Sequence, residues 1–196
     1  MSVPPAPPLL LASRSPQRRA ILEQLGIPFE VVSPRFEEQA GGHDPAETVR
    51  ENARGKARSV AGAAGERPVL GIDTEVVLGG RVFGKPDGAG EAEAMLEALS
   101  GRTHEVVSGL CLVTPGWEDV EHEVTRVSFR SLDARDLAAY IATGEWEGRA
   151  GAYAVQGRGA ALVERVEGDY LNVVGLPAAL LVRLLAERFP GVYGLG

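Results

Sequence analysis

Residues 9–26 read LLLASRSPQRRAILEQLG, and this stretch contains the change from strand to helix that decides the fold. The apolar run from Leu9 to Ala12 predicts a short buried strand. Ser15 followed by Pro16 is typical of a helix N-cap and first helical residue, and Gly26 is typical of a helix end. The stretch therefore predicts a strand that leads directly into a helix.

The same alternation continues along the rest of the chain. Further strands are predicted at residues 29–33, 69–72, 76–78, 81–83, 103–113, 121–130 and 160–166, with hairpin turns at Gly79-Gly80 and Pro115-Gly116. Further helices are predicted at residues 44–64, 90–99, 133–143 and 177–189. Strands that alternate with helices imply an α/β fold in layers around one mixed sheet.

Length, charge and composition limit the function classes. A chain of 196 residues predicts a single domain, with residues 1–7 as a Pro-rich, flexible lead. The single cysteine excludes an intramolecular disulfide and a cysteine-rich zinc site. A net charge of −7 argues against a general nucleic-acid binder but leaves room for a small anionic ligand. We expect a cytoplasmic protein without a membrane span or signal peptide.

The turn between the first strand and helix is the first candidate site. It holds two serines and three arginines: Ser13, Arg14, Ser15, Arg18 and Arg19. A helix N-terminus offers unpaired N–H groups and a positive dipole end, and arginine adds a bidentate donor. The turn predicts an anion site. The alternative is a capped surface helix with solvated arginines.

Lysine is rare in this chain, because 18 of the 20 basic residues are arginine. Lys56 falls on the apolar stripe of the predicted 44–64 helix, which comprises Val49, Ala53, Val60 and Ala64. A buried charge is costly unless it is paired or reaches a cleft, which makes Lys56 a candidate. The alternatives are a lysine that snorkels past the edge of the stripe and chance retention.

Acidic residues follow an apolar strand at Gly71-Ile72-Asp73-Thr74-Glu75. Carboxylates at a strand end can hold a hard divalent metal or act as a general base. Glu37, Glu38 and Asp87 are further oxygen ligands if the fold brings them close. The alternative is a polar turn.

Two Gly-rich stretches differ in what they indicate. Residues 79–85 match the front of a phosphate-binding P-loop, but Pro86 stands where that motif needs Ser or Thr, so we reject it and retain Lys85 as a candidate cation. Residues 148–159 read GRAGAYAVQGRG, and the amide of Gln156 could complement the polar edge of uracil or thymine. A Gly-rich connector is the alternative.

The histidines and the cysteine carry weaker signals. His43, His104 and His122 lack the spacing of metal ligands, so we expect them on the surface or in the core. Cys111 lies in an apolar run, so we expect a core residue and not a nucleophile.

The motifs resemble the Maf family. They occur in family order over nearly the whole chain: LASRSPQRRAIL at 11–22, Glu37-Glu38, Lys56, GIDTEVVL at 71–78, FGKP at 83–86, LSGRTHEV at 99–106, and the stretch at 148–177. The resemblance implies an elongated mixed sheet flanked by helices, similar to the inosine triphosphatase fold. It also implies one Maf-like domain over 1–196, which allows two lobes with the site in the cleft, and a homodimer.

The resemblance further implies a nucleoside triphosphate pyrophosphatase. Such enzymes cleave between the α and β phosphates with a divalent metal, Mg²⁺ or Mn²⁺, and release the monophosphate and pyrophosphate. The AGAY-x-x-QG stretch is similar to that of the subfamily acting on dTTP and UTP, and modified pyrimidine nucleotides are further candidates. The sister subfamily directed at 7-methyl-GTP lacks this stretch.

The family's roles carry over residue by residue. Catalytic roles fall on Asp73, Lys56 and Lys85. Metal binding falls on Glu38 and Asp73, since Asp73 matches a residue proposed as either base or metal ligand. Substrate binding falls on Ser13, Arg18, Gln17, Thr74 and Gln156. Two positions depart from the family: Gln17 replaces a usual arginine, and Glu75 replaces a usual apolar residue.

Three alternatives stay open at this point. The chain could be a non-catalytic nucleotide sensor that regulates septum formation. It could be a pyrophosphatase acting on purine nucleotides or 7-methyl-GTP, against which Gln156 and Tyr153 argue. It could be a DNA-associated protein that uses the arginines at 14–19, against which the net charge argues.

Overall fold

A computed structural model of the chain describes residues 6–39 and 44–194. Most of the predicted flexible lead and His43 lie outside the described residues. The strands are β1 (Leu9–Ala12), β2 (Phe29–Val32), β3 (Val69–Leu78), β4 (Arg81–Phe83), β5 (Thr103–Thr114), β6 (Trp117–Phe129) and β7 (Val163–Glu167). The helices are α1 (Pro16–Gln24), α2 (Pro45–Ala61), α3 (Ala89–Leu99), α4 (Ala134–Ile141), α5 (Tyr170–Val174) and α6 (Ala178–Arg188).

The strands form one mixed sheet of seven strands within the described ranges. The order is β2-β1-β3-β5-β6-β7, and β4 pairs with β3. β1 pairs in parallel with β2 and β3, whereas β4 and β7 pair antiparallel with β3 and β6. The predicted α/β class, a mixed sheet flanked by helices, is confirmed.

The chain divides into two compact units. The first comprises Met1–Asp73, Ser108–Glu123 and Gly175–Gly196, and the second comprises Thr74–Val107 and Val124–Val174. The core of the first unit includes Leu10, Ala53, Ala57, Val69 and Cys111. The core of the second includes Phe83, Leu96, Leu99, Phe129 and Tyr153. The predicted site in a cleft stays a prediction.

Helix α2 lies close against the sheet of the first unit because glycines face it. A Cβ at Gly71 of β3 would overlap the carbonyl oxygen of Ala53, and a Cβ at Gly109 of β5 would overlap that of Val49. The predicted stripe is buried, but α2 ends at Ala61, so Ala64 lies beyond the helix that was predicted to include it. The helix begins at the N-cap Asp44, whose side chain accepts from the Ala46 N–H at 2.9 Å. This close contact brings the polar residues of α2 to β3.

The structure corrects three strand boundaries. β3 continues through Asp73, Thr74 and Glu75, where the sequence predicted a strand end, because buried donors satisfy the Asp73 carboxylate inside the strand. β6 begins at Trp117, directly after the two-residue Pro115-Gly116 turn. β7 begins only at Val163, because a 3₁₀ helix occupies Arg158–Leu162. The Gly79-Gly80 hairpin is confirmed, with φ of +59° and +81° as a type I′ turn requires.

None of the helices in the described ranges has both the length and the apolar character needed to cross a bilayer.

Candidate active site

Three of the predicted site residues meet around one ammonium group in the first unit. Lys56 Nζ lies 2.7 Å from Asp73 Oδ1 and 2.6 Å from Glu38 Oε1, and it donates to the Ile72 carbonyl at 3.2 Å. Lys56 is only 4% exposed and Asp73 6%, so this charge is paired and not solvated. The interpretation of Lys56 as a paired buried charge is confirmed, and the snorkelling alternative is wrong.

Asn52 belongs to the same group and was missed from the sequence. Its Nδ2 donates to Asp73 Oδ2 at 2.8 Å and to the Gln39 carbonyl at 2.9 Å, while its Oδ1 accepts from the Gln39 N–H at 2.9 Å. It precedes Lys56 by one helical turn, so the two side chains share a helix face. An amide on the buried face of a helix was the signal available in the sequence.

The loop after β2 carries Glu38 to this group because it lies along α2. The Phe36 ring occupies the space that a side chain at Gly55 would fill. The Arg35 N–H donates to Ser59 Oγ at 3.1 Å, further along the same helix. Glycine and short polar side chains on one face of α2 therefore fix the loop that presents Glu38.

At the start of α1, the side chains of the predicted anion site form hydrogen bonds with one another and with nearby backbone groups. Ser13 Oγ is buried and accepts from the Ser15 N–H at 3.2 Å and from Arg18 Nη1 at 3.1 Å. Arg18 Nε donates to the Gly175 carbonyl at 2.9 Å. Ser15 caps the helix and donates to Gln17 Oε1 at 3.1 Å. Ser13, Arg18 and Gln17 thus lie in one turn, as expected.

The charge of Arg18 is linked to the carboxylates of the Lys56 group. Burial lowers the pKa of Arg18, and the negative charges of Asp73 and Glu38 act in the opposite direction. The guanidinium stays protonated at neutral pH because its ordinary pKa lies far above it. The first unit therefore combines Arg18 and Lys56, two fixed cations, with two carboxylates.

The two carboxylates that bond Lys56 are of the type that holds a hard divalent cation. Glu38 and Asp73 both reach one cationic position, and Mg²⁺ is usually held by one or two carboxylates, with waters and substrate phosphates completing the shell. Residues 6–39 and 44–194 contain no group of three or more His, Cys, Asp or Glu side chains placed for a metal. His104 is buried and His122 is exposed, so each lies in the core or on the surface, as the sequence predicted.

The candidate residues of the second unit are more exposed than Lys56 and Asp73. Gln156 and Lys85 are exposed, and Thr74 is half-buried. The segments that carry Lys85 and Gln156 are connected, because the Gly151 N–H donates to the Gly84 carbonyl at 3.1 Å. Gly151 has a φ of +67°, which suits this close approach, and a Cβ there would press on the Val76 side chain.

Buried aromatic hydroxyls anchor the segment before Gln156. His104 Nε2 and the Tyr153 hydroxyl are 2.8 Å apart, and the Ala154 N–H donates to the Tyr140 hydroxyl at 3.0 Å. Burial lowers the pKa of His104 to about 4 and raises the pKa of Tyr153, so both are neutral at neutral pH. Neutral groups therefore hold the segment before Gln156.

The structure also places Cys111 and the two residues that depart from the family pattern, Gln17 and Glu75. Glu75 is buried in β3, two residues beyond Asp73. The side-chain oxygen of Gln17 accepts a hydrogen bond from the Ser15 hydroxyl. Cys111 is buried in the first core, and burial raises its pKa to about 12. The burial confirms Cys111 as a core residue, and a thiol with a raised pKa is a poor nucleophile.

Comparison with known proteins identifies the family. A family model described as Maf-like protein matches residues 8–188. The chain belongs to the Maf family. A relative named dTTP/UTP pyrophosphatase from Moorella thermoacetica is 50% identical over 189 residues, which cover 95% of this chain and 97% of the relative.

Further Maf-family relatives are similar over comparable lengths. Proteins with the same name from Nitratidesulfovibrio vulgaris and Deinococcus radiodurans are 48% and 44% identical, covering 93% and 97% of this chain and 89% and 97% of the relatives. Among solved structures, the Ham1 protein of Staphylococcus aureus has a TM-score of 0.45 at 16% identity, over 63% of this chain and 72% of that chain.

Proposed function

We propose that this protein is a nucleoside triphosphate pyrophosphatase that hydrolyses dTTP and UTP to the monophosphate and pyrophosphate, in a house-cleaning role. The observation that carries the proposal is the buried Lys56–Asp73 pair, joined by the exposed Glu38, in a chain whose relatives are named dTTP/UTP pyrophosphatases. A sensor would need to recognise the nucleotide but would have no need for a buried carboxylate held beside a buried cation. The group therefore favours turnover.

Glu38 and Asp73 would hold Mg²⁺ or Mn²⁺ in this proposal. When bound, such an ion polarises phosphoryl oxygens and lowers the pKa of a bound water. Lys56 fixes both carboxylates, since its ammonium bonds each of them. Asn52 fixes the plane of Asp73 through the second carboxylate oxygen.

The remaining catalytic work is assigned to the chain's own side chains. Water attacks the α-phosphorus, the bond from that phosphorus to the bridging oxygen breaks, and pyrophosphate departs with that oxygen. Asp73 orients the water and accepts its proton. Ser13 and Gln17 are assigned to hydrogen-bond the phosphates, and Arg18 and Lys85 to neutralise their charge.

Base selection is assigned to Gln156. Thr74, which follows the catalytic Asp73 in sequence, is assigned to substrate binding. A carboxamide offers one acceptor and two donors, which can complement the N–H and carbonyl edge of uracil or thymine. Polar recognition can reject a mismatched base strongly, because the wrong partner leaves polar groups unpaired. Gln156 is exposed, so its amide is accessible to a ligand.

The test is pyrophosphate release from dTTP, UTP, CTP, GTP, ITP and 7-methyl-GTP with Mg²⁺ or Mn²⁺. We expect release from dTTP and UTP, and a kcat at least about 10²-fold lower in Asp73→Asn, since general base catalysis contributes 10²–10⁴-fold. Asp87→Asn, an exposed acid of the second unit, is the matched control. Nucleotide binding without release from any substrate would favour the sensor, and release from purines alone would favour the purine alternative.

The metal assignment has its own test. Mn²⁺ binding in the presence of UTP is measured by calorimetric titration for the wild type, Glu38→Gln and Asp73→Asn. We expect both variants to weaken Mn²⁺ binding, whereas Glu37→Gln, an adjacent exposed acid, should not. Unchanged Mn²⁺ affinity in both variants would contradict this assignment.

We also propose a cytoplasmic homodimer that does not bind nucleic acid. Sedimentation of the purified chain, alone and with duplex DNA at low salt, tests the dimer and the absence of nucleic-acid binding. A monomer, or salt-dependent co-sedimentation with DNA, would contradict them.

A further inference from the structure

The loop that follows Gln156 is fixed by one acidic side chain of the second unit. Glu145 lies in the connection after α4, and its two carboxylate oxygens accept from consecutive backbone groups. Oε1 accepts from the Arg158 N–H at 3.0 Å, and Oε2 accepts from the Gly159 N–H at 3.3 Å. Hydrogen bonds to an ionised acceptor are about twice as strong as neutral ones, so this contact holds the backbone two residues beyond Gln156.

The fit between Glu145 and the loop is also steric. A Cβ added at Gly157 would lie 2.5 Å from Glu145 Oε2, closer than real Cβ contacts occur. Gly157 has a φ of −112°, so its backbone does not itself demand glycine. The glycine is therefore explained by the carboxylate that lies against it.

Glu145 is held in place in turn. Its N–H donates to Thr143 Oγ1 at 3.1 Å, and Thr143 Oγ1 donates to the Tyr140 carbonyl at 2.6 Å. The Tyr140 hydroxyl accepts from the Ala154 N–H, on the other side of Gln156. The end of α4 thus fixes the loop both before and after an exposed Gln156.

We propose that Glu145 is the positioning residue that sets pyrimidine selectivity by fixing the loop that presents Gln156. The proposal rests on the assignment of Gln156 as the base reader. A fixed loop presents the amide in one orientation, so less conformational freedom is lost when the base binds. Loosening the loop should therefore weaken pyrimidine recognition more than it slows chemistry.

The test uses two variants that break the contact from opposite sides. Glu145→Gln replaces one acceptor with an N–H₂ group that faces a backbone donor, and Gly157→Ala pushes the carboxylate away. We expect each to raise KM for dTTP and UTP by about tenfold with kcat within about twofold, and to lower the preference for UTP over GTP. Glu147→Gln, an exposed acid in the same connection, is the matched control and should leave both constants unchanged.

A double-mutant cycle with Gln156→Ala separates positioning from general structural support. If Glu145 acts through Gln156, Glu145→Gln raises KM in the wild type and has no further effect in Gln156→Ala. Additive effects, or a loss of thermal stability in Glu145→Gln without a change in selectivity, would overturn the proposal. If the wild type releases no pyrophosphate, the same cycle is measured on the Kd for UTP, so the failure of the proposed activity is distinguishable. A Gln156→Ala variant that binds UTP normally would also overturn the proposal.

Discussion

The two lysines of this chain occupy opposite environments. Lys56 is buried in the first unit and bonds three acceptors, whereas Lys85 is exposed in the second unit and makes no ion pair within the part of the chain that the structure describes. The first region completes its charge pairs during folding. The second fixes its backbone and leaves Lys85 and Gln156 accessible. Lys56 is therefore fixed by its charge partners, whereas Lys85 and Gln156 keep side chains that solvent can reach.

Replacement of Lys56 should give the largest effect. Lys56→Met removes the ammonium and leaves the Asp73 carboxylate buried without its charge partner. Removing one member of a buried pair costs about 3–5 kcal/mol, so we expect the free energy of unfolding to fall by about that amount. Denaturant unfolding at neutral pH measures it. A loss below 1 kcal/mol would show that the two carboxylates do not depend on Lys56, and the comparison between the lysines would fail.

The buried neutral pair of the second unit should respond to pH. The pKa of His104 is about 4 in the folded chain and its ordinary value is 6.5, so the unfolded chain binds more protons between these values. The contribution of His104 is therefore complete above about pH 6.5 and is lost as the pH falls toward 4. The loss approaches about 3 kcal/mol at low pH.

A variant separates this effect from the titration of carboxylates. His104→Gln keeps a polar partner for the Tyr153 hydroxyl but cannot titrate, so its unfolding free energy should fall less between pH 6.5 and pH 4.5. The matched control is His122→Gln, because His122 is exposed. Equal pH profiles for the wild type and His104→Gln would mean that His104 is not protected from protonation in the folded chain.

Asn52 tests whether the first region depends on amides as well as on charges. Asn52→Leu preserves size but removes the hydrogen bonds to Asp73 and to the backbone of Gln39, so we expect a loss of about 1–3 kcal/mol in stability. We also expect a lower kcat, since Asp73 loses a partner that fixes its plane. Gln39→Ala is the matched control, because it keeps the backbone groups that Asn52 bonds. If Asn52→Leu kept wild-type stability and kcat, the hydrogen bonds of Asn52 would contribute to neither, and the residue would act only by filling space.

The sequence predicted the features that depend on local physical chemistry. Ser15 and Pro16 begin α1, two glycines form the type I′ turn, and the apolar stripe of α2 placed Lys56 on a buried face. The sequence did not identify the partner of Lys56. Its choice depends on the register between α2 and β3, which the close approach at Gly71 determines.

Features that depend on tertiary contacts were missed. Asp73 lies inside β3 because Lys56 and Asn52 satisfy its carboxylate, and neither contact is local in sequence. Glu38 reaches Lys56 because Phe36 packs on Gly55. The contact of Glu145 with the loop after Gln156 spans more than ten residues and has no local signal. Propensity and periodicity do not encode such pairings.

Replacement of Lys85 should have the smallest effect on stability, because Lys85 is exposed whereas Lys56 is buried and paired. Lys85→Met removes an exposed charge, so the free energy of unfolding should change by no more than about 0.5 kcal/mol. If Lys85 contacts the triphosphate, KM for UTP should rise about tenfold at low salt and the increase should shrink as salt screens the interaction. Kinetics at two salt concentrations, with Arg81→Met as the control for a neighbouring exposed cation, measure both effects. A Lys85→Met variant with unchanged KM at low salt would exclude Lys85 as a phosphate-binding cation, because a lysine that contacts the triphosphate must contribute to its binding.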